Sequence, residues 1–411
     1  MERSHVLGID SGSAHVRAVL AEVTLDGSRL VGVGEADSAG IRRGVVTDLT
    51  AAMGAIATAA TRACTQAGLA ELPGAVIAIG GAHLRSVPGS STVPVHRPAS
   101  GITPLDLRRA LDGAAQIDLP EGREVMHVLP RAYQVDGAEG VADPIGLAGR
   151  SLQADVTLVT ADGFAVQNLL RAVTAGGLTV LDYGAGARFA GELVLTPHER
   201  SSGVLHLDLG AGTTSVAVWE EGHLWDLFVL PVGSDHITAD LATVLRIPIA
   251  QAEQLKVVHG WASAGQADAE TMIDLPTPSG FGLRQVPEME LAQIIGSRVE
   301  EMLQLAANGV KRSGYTGLFP AGLVLSGGGS QLRGLLAFAS DSLGLPARLA
   351  SAPEGAPGLQ WLTAVSLAQW GAQRLTPAEP EVAAPAETTA GAFVQMKRWL
   401  AGLFTKEDNQ S

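Results

Sequence analysis

Val6-Leu7-Gly8-Ile9-Asp10-Ser11-Gly12-Ser13 and, about 200 residues further on, Val204-Leu205-His206-Leu207-Asp208-Leu209-Gly210-Ala211-Gly212-Thr213-Thr214 are two versions of one device. In each, an apolar run fit for a buried strand ends on a carboxylate, and small residues then let backbone N–H groups approach an anion. Further apolar residues follow both, Val16, Ala18 and Leu20 in one case and Val216, Ala217 and Val218 in the other, so each turn joins the strands of a hairpin. A P-loop would run strand, turn, helix and carry Gly-Lys-Ser/Thr, which is absent here. Two such hairpins facing each other would grip a nucleotide's phosphates from both sides, with Asp10 and Asp208 holding a hydrated Mg²⁺. A third apolar strand, 323–325, enters Ser326-Gly327-Gly328-Gly329-Ser330, and Gln331-Leu332-Arg333-Gly334 opens a helix. Any one of these loops is as readily a plain tight turn; three in this order point to phosphate and base contact.

The composition narrows the class. A chain of 411 residues exceeds one usual core and predicts two lobes. Its formal charge of −14 argues against extended nucleic-acid binding, which needs a basic surface. The lone Cys64 excludes an intrachain disulfide and a multi-thiolate zinc site, and fits a reducing compartment. The ten His residues are dispersed without metal-ligand spacing. A first strand beginning by Val6 is expected to leave no room for a signal peptide, and no apolar run is long enough to span a bilayer.

Along the chain the pattern predicts strands at 6–9, 16–23 and 30–35, with Asp26-Gly27 as a hairpin turn, then a helix through 51–67 capped near Thr47 or Asp48, and a buried strand at 75–79. From there to about 158 the texture changes to short strands and Pro-punctuated turns, as in an inserted subdomain. A helix at 162–175 and a strand at 178–181 follow. The second half repeats the plan: strands at 203–209, 214–219 and 224–230, helices at 233–245 and 249–257, and a small strand pair around Met272 and Arg284. A long amphipathic helix is expected at 288–312, then strand 322–325, helix 331–343, strand 346–349 and helix 358–372. The repeated order argues for a duplicated α/β fold with its ligand between lobes.

Residues 375–390 are rich in Pro, Ala and Glu and lack the apolar content to pack, so they read as a disordered linker. Hydrophobicity then returns at 391–405. At helical spacing Phe393, Met396, Trp399, Leu400, Leu403 and Phe404 share one arc of about 140°, with Gln395, Lys397, Arg398 and Lys406 outside it. Too short to cross a membrane, such a helix suits the interface of an anionic one; the plainer alternative is a helix folded back on the protein's own core.

The chain resembles the actin-like ATPase superfamily and, within it, the bacterial cell-division FtsA family. Beyond the three loops, the resemblance rests on Arg43-Gly44-Val45-Val46-Thr47-Asp48-Leu49, Ala78-Ile79-Gly80-Gly81-Ala82-His83-Leu84 and Val128-Leu129-Pro130-Arg131-Ala132-Tyr133-Gln134-Val135-Asp136-Gly137. Asp143-Pro144-Ile145-Gly146-Leu147-Ala148-Gly149-Arg150-Ser151-Leu152 and Ala252-Glu253-Gln254-Leu255-Lys256 also match, as does the tethered terminal helix. It implies an actin-like (ribonuclease H-like) duplicated two-lobe fold, with a first-lobe core at 1–81 and 159–200 and an FtsA-type inserted subdomain at 82–158. The second-lobe core would take 201–232 and 301–374, and a small subdomain 233–300. It also implies ATP binding, polymerisation with itself into short membrane-bound filaments at the division septum, contacts with other division proteins, and anchoring of the tubulin-like FtsZ ring through that protein's C-terminal peptide. By position, Asp10, Ser11, Gly12 and Ser13 would hold one side of the phosphates, and Gly210, Ala211, Gly212, Thr213 and Thr214 the other, with Asp208 on the Mg²⁺ side. Glu253 and Lys256 match the helix that meets ribose and adenine, their plain alternative being a solvated i,i+3 pair. Gly327, Gly328 and Gly329 match the turn on the adenosine. Arg298, read as an exposed cation beside an amphipathic helix, is a candidate contact for the FtsZ peptide, or simply a solvated charge.

Two departures bear on activity. Relatives commonly carry a Lys two residues past the first loop, where this chain has His15. Many superfamily ATPases place a Glu or Gln where the lobes cross, whereas Tyr183-Gly184-Ala185-Gly186-Ala187-Arg188 offers neither. Both point to weak hydrolysis. A small-molecule kinase would need an acidic base in the cleft, and Asp136 and Asp143 fall in the inserted subdomain instead. A pilus-assembly ATPase of the same fold would lack the terminal helix.

Overall fold

The computed structural model describes residues 4–24, 27–277 and 282–375; the linker and terminal helix expected from the sequence lie outside them, as do Leu25 and Asp26 of the first hairpin turn. Within the described residues the backbone divides into a larger unit (4–83, 167–222 and 227–375) and a smaller one (84–166 and 223–226).

The larger unit begins with a three-stranded meander, β1 (His5–Ser11), β2 (His15–Thr24) and β3 (Gly27–Asp37), whose register pairs Asp10 with Arg17 and Thr24 with Gly27. A short pair follows, β4 (Ile41–Arg42) and β5 (Val45–Val46). Asp48 then caps α1 (Leu49–Gln66), its Oδ1 accepting from Ala51 N at 3.0 Å. β6 (Ala75–Ile79), buried at every residue, lies parallel beside β1.

The smaller unit contributes β7 (Arg85–Pro94), α2 (Pro104–Ala114), β8 (Arg123–Val135), β9 (Ala138–Val141) and β10 (Ser151–Asp162), in the sheet order β7-β10-β8-β9. Leu152, Ala154, Val156 and Leu158 alternate onto one face and pack against Leu107, Ala110, Leu111 and Ala114 of α2. These strands are longer than the sequence suggested. Pro130 sits where the β8–β10 register shifts, with Ala132 opposite Asp155 and Pro130 opposite Val156, so the bulge absorbs the proline and the strand runs on.

The chain continues through α3 (Gly163–Ala175), β11 (Val180–Ala185), α4 (Gly186–Val194) and α5 (Pro197–Ser202), completing the first sheet in the order β11-β6-β1-β2-β3. The sequence reading names neither α4 nor α5. The second half gives β12 (Val204–Leu209), β13 (Thr214–Glu220), β14 (His223–Leu230), α6 (Ser234–Leu245), α7 (Ile249–His259), β15 (Met272–Pro276), β16 (Leu283–Pro287), α8 (Glu288–Arg312), β17 (Leu323–Ser326), α9 (Leu335–Leu343), β18 (Ala347–Leu349) and α10 (Leu362–Leu375). Its sheet in this unit runs β18-β17-β12-β13-β14. The helix expected over 331–343 is in fact a 3-10 turn, Gly328–Gln331, then α9, broken at Gly334, whose φ is +74°.

The resemblance assigns 301–374 to the second lobe, whereas α10 packs on the first sheet. Ala364, Val365, Leu367 and Ala368 share a buried cluster with Val6, Val19 and Val76. Gly8 makes this possible: a methyl there would lie 2.1 Å from the Ala364 carbonyl oxygen. Each large apolar side chain fully buried in that seam contributes about 1.5–3 kcal/mol.

Candidate nucleotide site

The turns that end β1 and β12 meet tip to tip. A methyl on Gly212 would lie 2.5 Å from Ser13 Oγ and 2.8 Å from Ser13 Cβ, so only a residue without a side chain allows the approach. The second turn is pinned from behind. Gly210 N donates to Thr213 O at 2.9 Å, while Gly210 O and Ala211 O accept from Ser234 N (3.0 Å) and Asp235 N (2.9 Å) at the start of α6. Thr214 Oγ1, buried, donates to Val232 O at 2.8 Å. The third turn leans on the same backbone: a methyl on Gly327 would stand 2.5 Å from Leu209 O and 2.6 Å from Asp208 Oδ1, and one on Gly329 3.0 Å from Leu209 O. Gly328 is exposed beside them. All three glycine loops named from the sequence therefore converge on one place.

Asp10 and Asp208 stand at its floor. Desolvation pushes the Asp10 carboxyl up to about 6, with Arg17 opposing and the charge of Asp208 adding to the rise. Burial raises Asp208 too, against a hydrogen bond from Ser326. Ser326 Oγ donates to Asp208 Oδ1 at 2.9 Å and lies 2.8 Å from His206 Nε2. Burial holds His206 down at about 4, so the ring is neutral at pH 7 and donates from Nε2 to the serine. Sequence reading missed His206 and Ser326 as supports of Asp208. The available signal was a polar residue at an inward position of an apolar strand, which must find a partner.

Two facing carboxylates that resist joint ionisation favour a divalent cation between them. Among the described residues, no group of three or more His, Cys, Asp or Glu forms a protein cage. Two carboxylates are enough to hold Mg²⁺, which keeps waters and phosphate oxygens in its shell. Ser11 Oγ is buried without a hydrogen-bond partner at the first turn, as a phosphate-facing hydroxyl would be. The donor set thus fits a phosphate–Mg²⁺ group.

Glu253 and Lys256 form an i,i+3 ion pair, with the lysine 10% and the glutamate 46% exposed. Lys256 Nζ lies 2.7 Å from Glu253 Oε2 and donates to Thr238 Oγ1 (2.9 Å) and Ser234 O (3.3 Å), which ties α7 to α6. Thr238 Oγ1 donates to Glu253 as well. An apolar recess lined by Leu209, Ile237, Met302, Gly329 and Leu332 lies beside the third turn. His15 points its Nδ1 at Asp37 (3.5 Å) and Glu35 (3.9 Å), so the position of the usual lysine faces β3 carboxylates. The first acid past the 183–188 stretch, Glu192, is engaged by the buried Arg188 at 2.8 Å.

Arg298 departs from expectation. It is not an exposed cation: its side chain is 25% exposed, forks onto Asp240 at 2.6 and 3.1 Å, and also bonds Glu301. Phe393, Met396, Lys397, Arg398, Trp399, Leu400, Leu403 and Phe404 lie outside the described residues. Among the described residues no helix is long and apolar enough to cross a membrane.

Comparison with known proteins decides the family. The model for cell division protein FtsA matches residues 205–366, and that for the SHS2 domain inserted in FtsA matches 81–160. Cell division protein FtsA of Pseudomonas aeruginosa is 32% identical over 97% of this chain and 98% of its own length; that of Neisseria meningitidis is 30% identical over 98% and 99%. This chain belongs to the FtsA family. Its role is the cell-division scaffolding role typical of FtsA, on an actin-like fold built to bind nucleotide. The inserted SHS2 domain falls on the smaller unit. Two solved structures share the fold at low identity. One is a chain of the PilM-PilN type IV pilus biogenesis complex (TM-score 0.63, 19% identical, covering 89% of this chain and 98% of that one). The other is MreB5 of Spiroplasma citri bound to ADP (0.52, 13%, 91% and 97%).

Proposed function

We propose that this FtsA-family chain binds ATP·Mg²⁺ between its two sheets and uses it as a conformational ligand, polymerising on the cytoplasmic face of the cell membrane and anchoring the FtsZ ring there. The observation that carries the reading is the tip-to-tip approach of Gly212 and Ser13, which brings two Asp-terminated turns to one point. Ser11, Gly12 and Ser13 would hold the phosphates from one side, and Gly210 through Thr214 from the other. Asp10 and Asp208 would hold Mg²⁺, which neutralises phosphate charge. Glu253, Lys256 and the turn Gly327, Gly328 and Gly329 would receive the adenosine. With Glu192 held by Arg188 and His15 turned to carboxylates, neither is placed to orient a water, and turnover far below the ~10 s⁻¹ of a median enzyme is expected.

The small subdomain at 233–300 would take the FtsZ C-terminal peptide, with Arg298 held there by Asp240 and Glu301. The terminal helix at 391–405 would hold the protein to anionic lipid at the septum, its six apolar residues dominating over basic groups that each add about 1 kcal/mol. Titration calorimetry with ATP·Mg²⁺ tests the site: Asp208→Ala should weaken binding at least about tenfold. Unchanged affinity would remove the cleft assignment. Co-sedimentation with anionic vesicles tests the anchor: Trp399→Glu should release the protein, and retention would overturn the membrane reading.

A further inference from the structure

Arg43 has a backbone that few arginines adopt. Its φ is +50°, in the left-handed region, where a non-glycine residue costs about 1–3 kcal/mol. The next residue, Gly44, has φ +77° and packs so closely that a methyl on it would lie 2.5 Å from Gly81 N and 2.6 Å from Gly80 C. This conformation sets Arg43 at the tips of both phosphate turns. The same methyl on Gly212 that would strike Ser13 would also stand 3.5 Å from Arg43 Cα.

The guanidinium reaches the second half of the fold. Its Nη2 lies 3.4 Å from His236 Nε2, in the first turn of α6. Guanidinium only donates, and His236 Nδ1 lies 3.2 Å from Gly233 N, which donates to it, and 3.3 Å from Gly233 O, so the tautomer that offers Arg43 an acceptor at Nε2 forgoes the bond from Gly233 N. His236 rides with the second phosphate turn, because Ser234 N and Asp235 N bond the carbonyls of Gly210 and Ala211.

The other cations around the cleft are committed. Arg17 is paired with Glu35 at 2.7 Å and Lys256 with Glu253 at 2.7 Å, while His15 faces Asp37 and Glu35. Arg43 alone among these has no carboxylate partner among the described residues, and the group it meets is an imidazole. A phosphate oxygen is a much stronger acceptor, and a planar fork of N–H groups matches it geometrically.

We propose that Arg43 is a specificity-determining residue that reads the outermost phosphate, exchanging His236 for it when a nucleoside triphosphate is bound and leaving a diphosphate largely uncontacted. The inference rests on the nucleotide site proposed above. It supplies from the 41–46 hairpin the cation that the first turn lacks at His15. It also gives triphosphate and diphosphate the unequal contacts without which neither could shift the protein between conformations.

The test measures a non-hydrolysable ATP analogue and ADP separately, each with Mg²⁺, by titration calorimetry on the full chain. Arg43→Gly removes the guanidinium and relaxes the backbone, so the variant should fold at least as well, checked by thermal unfolding. Triphosphate affinity should fall about 10- to 50-fold while ADP affinity changes less than about threefold, and Arg43→Lys should recover part of the loss. Equal weakening of both nucleotides, reproduced by His236→Ala, would show a structural clasp between the turns and overturn the proposal. So would unchanged triphosphate binding. A wild-type protein that bound neither nucleotide would overturn the nucleotide site itself, a different failure.

Discussion

Replacing Gly212 by Ala puts a single methyl where the two glycine turns meet, and the geometry sets the size of the effect. Gly212 lies outside the left-handed region, so the consequence of alanine there is chiefly one of contact. The methyl would lie 2.5 Å from Ser13 Oγ and 2.8 Å from Ser13 Cβ, where ordinary contact begins at 3.4 Å. Rotating Ser13 moves the hydroxyl away but not its Cβ, so the turns must still part by about 0.6 Å. An N–H···O bond of about 2.9 Å stretched by that amount reaches the limit of hydrogen bonding. A phosphate gripped from both sides would then lose at least one charged bond, worth about 1.5–3 kcal/mol. Affinity for ATP·Mg²⁺ should fall about 10- to 100-fold by titration calorimetry. Ser13→Gly in the same chain removes the obstructing atoms and should restore most of the loss, giving a coupling of at least about 1 kcal/mol in a double-mutant cycle. If Gly212→Ala binds like the wild type, or Ser13→Gly fails to rescue it, the two turns do not grip a common ligand.

Three further outcomes follow from the packing. Gly8→Ala drives a methyl to 2.1 Å from Ala364 O and should cost about 1–3 kcal/mol in denaturant unfolding as α10 is lifted from the first sheet. Gly54→Ala, mid-helix in α1 with nothing within 4 Å of the new methyl, should instead stabilise by about 0.5–1 kcal/mol and leave nucleotide affinity alone. Glu199 is held down to about 2, chiefly by hydrogen bonds from Arg348 at 2.6 Å, and then by Thr196. A depressed carboxylate stabilises the fold above its unfolded value near 4.5 and loses that contribution as pH falls toward 2. Glu199→Gln should therefore cost about 1–2 kcal/mol at pH 7, discounted because Arg348 is 36% exposed, and the gap should shrink markedly by pH 3. A gap that does not change with pH would mean the ion pair contributes nothing.

What could be read in the chain is what acts locally. Asp10 and Asp208 stood out because each ends an apolar strand, and the same adjacency fixes them in space. The bounds of α8 were legible because Pro287 precedes it and Lys311, Arg312 and Gly314 close it. Relations between distant residues were not legible. Arg298 looked free because its partner Asp240 lies 58 positions away, with only Glu301 within a helical turn. Helix α10 follows the second-half strands in sequence, and nothing local reveals that its small residues fit over Gly8. Pro130 suggested a break because a proline removes a ladder bond, and only the opposing strand shows the bulge that accepts it.

The way the three turns are held bears on why so complete a site would be kept under the slow hydrolysis proposed above. Gly210 and Ala211 are bonded to the start of α6, Gly327 rests on Leu209 and Asp208, and Lys256 ties α7 to α6. Backbone and side chains thus join the second phosphate turn, the third turn and two helices into one body. The first turn belongs to the meander clamped beneath α10 through Gly8. A ligand gripped from both sides would direct its binding free energy into how the two turns sit against each other. To hold one placement at 99:1 against an intrinsic 1:99, it must favour that placement by about 5.5 kcal/mol. A few charged hydrogen bonds made in only one placement supply that amount, at roughly 1.5–3 kcal/mol each. No bond need be cleaved for such a switch, and slow hydrolysis would only set how long each placement lasts.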